Sequence, residues 1–126
     1  NANLIPVIST VGVDTSGQIY NINADTAASK IAMALKAEKL VSMTDIAGLL
    51  HDRFDESTLI PEVNVKDTQT LIDEGIIAGG MIPKIACCTD FIQAGGKEAS
   101  IIDGRIEHAI LLEMLSDKGN GTRFYA

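Results

Sequence analysis

Two short stretches of this sequence concentrate groups able to act on an anionic substrate. Asn21-Ile22-Asn23-Ala24-Asp25 sets two amides and a carboxylate within five residues. At the entry to a helix such residues act as caps, because their side chains accept from orphan backbone N–H groups. The same cluster can also hold a small polar substrate and orient a neighbouring cation. Gly79-Gly80-Met81-Ile82-Pro83-Lys84 is the second stretch. Its glycines let the backbone approach a ligand, a helix N-terminus beyond them offers N–H groups to an anion, and Lys84 adds a point charge that reaches a phosphate. Read blandly, the same six residues are a joint followed by a solvated lysine. They carry neither the Walker A pattern nor GxGxxG, so spacing alone leaves both readings open.

The elements that must position these groups follow from periodicity. Residues 4–9 are rich in branched side chains and read as a buried strand. Asp14, Thr15, Ser16 and Gly17 form a turn, with residues 18–20 as the return arm of a hairpin. Ala27, Ala28, Ile31, Ala32, Leu35 and Ala37 recur at helical spacing from Asp25 onward, with Asn23 or Asp25 as the cap. Residues 40–44 form a short strand closed by Asp45 and Gly48, and residues 51–57 the polar tip of a second hairpin. A helix over 65–74 stops at Gly75, and another over 81–94 carries Pro83 in its first turn, where no N–H is missed. After Gly95-Gly96 come a strand at 99–102, a helix at 106–115 and a closing edge strand at 121–125. This order implies an α/β three-layer sandwich, a mainly parallel central sheet flanked by helices, with β-hairpins added. Ligands of such sheets lie beyond the carboxyl ends of strands. The segments to watch are therefore 21–25, 44–48, Asp103-Gly104-Arg105 and the loop 79–84.

Composition narrows the function classes. At 126 residues the chain is one domain, and 46% hydrophobic with 21% charged residues excludes a disordered chain. With 4% aromatics and no Trp, the core must be Ile, Leu, Val, Ala and Met. Acidic residues outnumber basic ones 17 to 10, for a net charge of −7 and no basic stripe, which argues against nucleic acid. Cys87 and Cys88 are adjacent, too close to bridge each other and too few for zinc. They read as small buried hydrophobes of a reducing compartment in preference to a redox pair. His51, Asp52, Arg53, Asp55 and Glu56 read as a solvated hairpin tip in preference to a metal site. No apolar run reaches membrane-spanning length and no secretory signal opens the sequence. The expected place is cytoplasmic, or the plastid stroma for a photosynthetic eukaryote. A strand-like run almost at once, without an initiator Met, is expected of the middle of a longer protein.

Five motifs occur in one order: residues 21–25, Met43-Thr44-Asp45-Ile46-Ala47-Gly48, residues 79–84, Ile101-Ile102-Asp103-Gly104-Arg105, and Gly119-Asn120-Gly121-Thr122. In these the sequence resembles the N-acetylglutamate kinases of the amino-acid kinase family over nearly its whole length. The resemblance implies that residues 1–126 are the C-terminal, nucleotide-binding part of such an enzyme. Asn21, with Asn23 beside it, would bind the acetylglutamate substrate, and Asp25 would organise the catalytic lysines. Lys84 would contact the transferred phosphoryl group. Thr44, Asp45 and Gly48 would lie near the nucleotide, and Gly80 and Met81 in the loop lining the adenine pocket. The family's glycine-rich phosphate loops, second catalytic lysine and substrate-binding arginine belong to an N-terminal half that this sequence lacks. The chain alone is thus expected to bind nucleotide without turnover.

The chemistry suits these residue types. The acceptor implied is the side-chain carboxylate of N-acetyl-L-glutamate, which with an unperturbed pKa of about 4.3 is already ionised at neutral pH. No general base is needed, so Asp25 is not cast as one. The obstacle is a negative nucleophile meeting ATP, for which positioning and positive charge are the remedies. Mg²⁺ would be held mainly through the nucleotide phosphates. Glu113 and Gly119 match positions that hold arginine in feedback-inhibited relatives, with His108 on the same helix and Ser100 where several of them carry histidine. A solvated Glu113 and a surface His108 stand as the alternative. The resemblance also implies a homo-oligomer for the complete enzyme, and leaves open docking by a PII-type protein. Two other readings remain. One is an amino-acid kinase for glutamate, aspartate, carbamate or UMP, against which the 21–25 motif argues. The other is a regulatory module binding arginine or a partner.

Overall fold

Helix α1 (Ala24–Ala34) starts where its cap dictates, the Asn23 side chain accepting from the Thr26 amide at 3.1 Å. Before it lies the hairpin of β1 (Val11–Val13) and β2 (Ile19–Asn21). Its turn is organised by the Asp14 carboxylate, which accepts from the Ser16 and Gln18 amides at 2.8 and 3.0 Å. The computed structural model describes residues 4–116 and 119–126. Among them no helix is long and apolar enough to cross a membrane.

The main sheet has four strands: β3 (Lys39–Thr44), β4 (Glu62–Asn64), β5 (Glu98–Asp103) and β6 (Gly121–Tyr125), in the order β3-β5-β6-β4. Pairings β3–β5 and β4–β6 are parallel and β5–β6 is antiparallel. Helices α2 (Thr68–Asp73), α3 (Met81–Gln93) and α4 (Ala109–Leu115) complete the fold. Strand alternation divides the faces. On one face Ala99 lies opposite Phe124 and joins Ile85, Cys88, Phe91 and Ile92 of α3 and Ala32 of α1 in the core. Residues 85, 88 and 91/92 are the inward stripe of α3, each large side chain contributing about 1.5–3 kcal/mol by burial. On the other face Lys39 of β3 reaches Glu113 of α4. Helices therefore cover both faces, the layered α/β arrangement expected.

Burial pushes the Cys88 thiol up to about 12, with the neighbouring Cys87 adding to it, so at neutral pH Cys88 is an inert core residue. The Cys87 carbonyl accepts from the buried Ser29 hydroxyl at 3.1 Å, one of the contacts joining α1 to α3.

Several expectations are corrected. Residues 4–9 are not a buried strand. Leu4, Ile5 and Val7 are 80–96% exposed, and among the described residues no strand pairs with this run. Branched residues favour extended backbone, yet a strand exists only where another completes its ladder. β6 is an inner strand between β5 and β4 instead of an edge. Its fully buried Thr122 and Phe124 fit that inner place. β4 escaped notice because it is only three residues, Glu-Val-Asn, and mostly polar. The helix expected at 65–74 is a 3-10 turn (Val65–Asp67) followed by α2. The helix expected from residue 106 begins at Ala109. The Asp103 carboxylate takes the Arg105 amide at 2.9 Å and turns the chain first, leaving His108 in left-handed backbone (φ 60) at the cap.

Candidate functional site

The loops after β3 and before α3 converge on one cleft of about 910 Å³, within the range of small-molecule sites. Thr44, Asp45 and Gly48 line it from one side, and Gly79, Gly80, Met81 and Lys84 from the other. Every residue singled out from sequence for a nucleotide contact thus lies on one cavity. His51, Asp52, Arg53 and Phe54 line it too. The hairpin tip, exposed over residues 51–57 as expected, is also a wall of the cleft. Its Arg53 guanidinium sits 4.5 Å from the centre of the Phe54 ring. No signal in the sequence pointed to this wall, since its polarity is that of any exposed loop.

Gly48 is held at φ 142, in backbone that favours glycine, and a β-carbon there would meet the Thr122 hydroxyl at 2.8 Å. That hydroxyl accepts from the Leu49 amide at 2.8 Å and donates to the Ile60 carbonyl at 2.7 Å. The cleft floor is in this way tied to the inner strand β6.

The start of α3 departs from the expected anion cradle. The Met81 and Ile82 amides donate back to the Ala78 and Gly79 carbonyls at 3.2 and 3.3 Å, and Pro83 has no N–H. Positive charge at this end of the cleft is therefore the Lys84 ammonium more than free amides. Lys84 Nζ donates to Asp25 Oδ1 at 2.7 Å and to Ser42 Oγ at 3.2 Å, and Ser42 Oγ lies 3.4 Å from Asp25 Oδ1. Lys84 and Asp25 are mostly sheltered, with side chains 17% and 26% exposed. Three elements, α1, β3 and α3, contribute one group each. Ser42 was missed in the sequence, although it stands two residues before Thr44 and so shares its side of β3.

The other candidates divide. The Asn23 carbonyl oxygen serves the α1 cap, the bland role. Asn21 ends β2 exposed and does not line the cleft. Asp103-Gly104-Arg105 is not part of the cleft either. The Arg105 guanidinium grips the Asp103 carboxylate through Nε at 2.9 Å and reaches Glu56 at 3.3 Å, while the Gly104 amide donates to the Thr44 carbonyl at 2.7 Å. Arg105 beside Asp103 holds that carboxyl below the usual range. These bonds brace the ends of β3 and β5 against the hairpin wall.

On the opposite face a second cleft of about 500 Å³ lies among Lys39, Glu62, Glu98, Glu113, Gly119 and Arg123. Glu113 is buried, not solvated, and accepts from Lys39 Nζ at 2.9 Å and from the Asn120 amide at 3.2 Å. Gly119 (φ 62) passes so close that a β-carbon would stand 2.5 Å from Glu113 Oε2. His108 does not line this cleft. Burial pushes the Glu113 carboxyl up, but the adjacent Ser100 hydroxyl, Lys39 and the Asn120 amide outweigh it and hold the group below its ordinary 4.5. The Ser100 hydroxyl faces Glu113 without a well-formed hydrogen bond. A carboxyl lowered on folding contributes stability above its unfolded value and loses it as pH falls through its folded one. Glu113→Gln is therefore expected to be less stable than wild type at neutral pH, the gap closing well below pH 4.5. Urea unfolding from pH 7 to 3 checks this, and a gap independent of pH contradicts it.

Comparison with known proteins bears on what these clefts serve. The amino acid kinase family profile matches residues 1–103. An acetylglutamate kinase of Actinobacillus pleuropneumoniae is 77% identical over 99% of this chain, and one of Haemophilus ducreyi is 68% identical over 98%. The chain spans 44% of the length of each of these relatives. Among solved structures, N-acetylglutamate synthase of Neisseria gonorrhoeae, complexed with coenzyme A and L-arginine, superposes with a TM-score of 0.83 at 24% identity, over 94% of this chain and 27% of its own. Carbamate kinase of Giardia lamblia bound to AMP-PNP superposes at 0.66 and 24%, over 91% of this chain and 36% of its own. At such identities these two likenesses concern the fold.

Proposed function

This chain belongs to the amino acid kinase family, and from that premise we propose that it is the nucleotide-binding part of an enzyme that phosphorylates N-acetyl-L-glutamate. The observation that carries the reading is the Lys84–Asp25 ion pair at one side of a cleft built from the loops at 44–48 and 79–84. The 77% identity to an acetylglutamate kinase supports the acceptor.

In this reading the cleft takes ATP, with Gly80 and Met81 toward the adenine and Lys84 toward the phosphates. An oxygen of the acceptor carboxylate attacks the γ-phosphorus. The bond from that phosphorus to the bridging oxygen breaks and ADP leaves, giving the acyl phosphate. No proton moves, so Asp25 acts by holding Lys84 and not as a base. The ammonium stabilises charge on the transferring group, where positioned donors matter most. Among the described residues no three His, Cys, Asp or Glu side chains converge as around a metal ion. In this reading Mg²⁺, which neutralises phosphate charge when bound, would be held mainly through the nucleotide phosphates. Asn21 remains the candidate for the acceptor, from outside the cleft.

A second role is proposed for the opposite face, because a buried carboxylate, Glu113, opens onto a cleft of its own. That pocket suits a guanidinium ligand such as arginine, which Glu113 would bind beside Gly119.

One assay tests both roles. Full-length protein carrying this sequence is given Mg·ATP and each candidate acceptor, ADP release is followed for all of them, and acyl phosphate from the carboxylate acceptors is trapped with hydroxylamine. N-acetyl-L-glutamate is expected to be the preferred acceptor over glutamate, aspartate, carbamate and UMP, and a preference for any of the others removes the assignment. Added L-arginine is expected to slow the reaction, and less so in Glu113→Gln. An unchanged rate removes the regulatory role alone.

A further inference from the structure

Lys84 has to do two things that conflict. It must stay near Asp25, which orients it, and it must leave an N–H group for an incoming phosphate. An ammonium has three donors and no acceptor, so how its hydrogen bonds are divided decides which direction remains open. Here one N–H goes to Asp25 Oδ1 at 2.7 Å and a second to Ser42 Oγ at 3.2 Å. The Ser42 hydroxyl in turn donates toward the same Asp25 oxygen, 3.4 Å away. The three groups close a ring, and one N–H of Lys84 stays outside it.

Ser42 does not line the cleft, whereas Thr44, two residues on along the same side of β3, does. The half-buried serine thus touches Lys84 without itself being one of the residues that line the cleft. Its place on a strand paired in register with β5, Ser42 facing Ile101, makes it a fixed reference point. A helix terminus or loop would move more.

We propose that Ser42 is a positioning residue for phosphoryl transfer, fixing the rotation of the Lys84 ammonium so that its remaining N–H points into the cleft. This rests on the assignment of Lys84 given above. A neutral hydroxyl suits the task. It accepts from the ammonium without competing with a phosphate as a second carboxylate would, and it keeps Asp25 partnered when Lys84 shifts toward its ligand. A serine chosen only for volume would leave no trace in kcat once an alanine filled its place.

The test uses the full-length protein and measures kcat and KM for ATP in Ser42→Ala, Ser42→Thr, Lys84→Ala and the double variant Ser42→Ala/Lys84→Ala. Loss of one hydrogen bond to a charged group is expected to lower kcat about tenfold in S42A, with KM for ATP within about twofold. S42T, which keeps the hydroxyl on a β-branched frame suited to a strand, is expected to recover most of the rate. On the K84A background the serine change should cost nothing further, since the two act as a unit. Wild-type kcat in S42A overturns the proposal, and so does a defect that S42T leaves unrepaired, because packing and not the hydroxyl would then be at issue. Normal turnover in K84A overturns the assignment of Lys84, and with it this role. A defective K84A beside a normal S42A overturns the positioning role alone.

Discussion

Lys84→Ala in the full-length protein is expected to lower kcat by about 10²–10³, the cost of removing one preorganised donor from a charge that develops in the transition state. KM for N-acetyl-L-glutamate should change little, because in the proposed role the lost interaction is made to the transferring phosphoryl group and not to the bound acceptor. The size of the effect follows from how few amides next to Lys84 are free to replace its donors. The first amides of α3 are committed to the Ala78 and Gly79 carbonyls, and Pro83 offers none. Removing Lys84 also strips the sheltered Asp25 carboxylate of its cation, placing an uncompensated negative charge near an incoming polyphosphate. Lys84→Arg should not restore the rate, since a planar fork cannot occupy the place of a compact ammonium between Asp25 and Ser42. Steady-state kinetics with Mg·ATP varied at saturating acceptor decide the matter. Turnover within a few-fold of wild type for K84A would falsify the assignment.

How much of this site was legible in the sequence depends on how local each feature is. Gly48, Gly79 and Gly80 announce loops because glycine is needed where backbone turns or comes close, and the loops did fall on one cleft. The α1 cap was legible for the same reason, as an Asn three residues before the amide it serves. Contacts between distant residues are another matter. Asp25 and Lys84 lie 59 positions apart, and only the packing of α1 on α3 brings them together. The resemblance named both residues, but nothing local showed that they meet. Ser42 could have been found from the two-residue period of β3, because a hydroxyl in an otherwise apolar run of strand needs a partner. The occupied amides of α3 were not legible at all, since whether a first-turn N–H is free depends on how the preceding loop closes.

The fold itself shows the same division. Periodicity identified α1, α3, β3 and β5, whose apolar stripes face a core that their own residues build. It failed for residues 4–9, where identical chemistry stands exposed because burial is a property of neighbours and not of the segment. It also failed for the rank of β6, since strand order in a sheet is decided by pairing.

That inner position of β6 makes Gly121→Ala the most damaging small substitution expected outside the cleft. A β-carbon at Gly121 would collide with the Ile101 carbonyl oxygen and stand 2.9 Å from the Ile102 α-carbon. Both obstacles are backbone of the adjacent strand, so no side chain can rotate away, and β5 and β6 must move apart where Ile102 faces Gly121. Overpacking of this kind costs about 3 kcal/mol or more when nothing yields. The damage should spread to the cleft through Thr122, the next residue, whose hydroxyl holds the Leu49 amide and the Ile60 carbonyl. Gly75→Ala is the control. It has open space around it and only the strain of a positive φ (75°) to bear, for about 1–2 kcal/mol. In urea unfolding the 121 variant should lose far more stability than the 75 variant. In calorimetry with Mg·ADP, whatever remains folded should bind more weakly. A Gly121→Ala protein as stable as wild type would mean that β5 and β6 do not approach this closely, and the link from the inner strand to the cleft floor would fall with it.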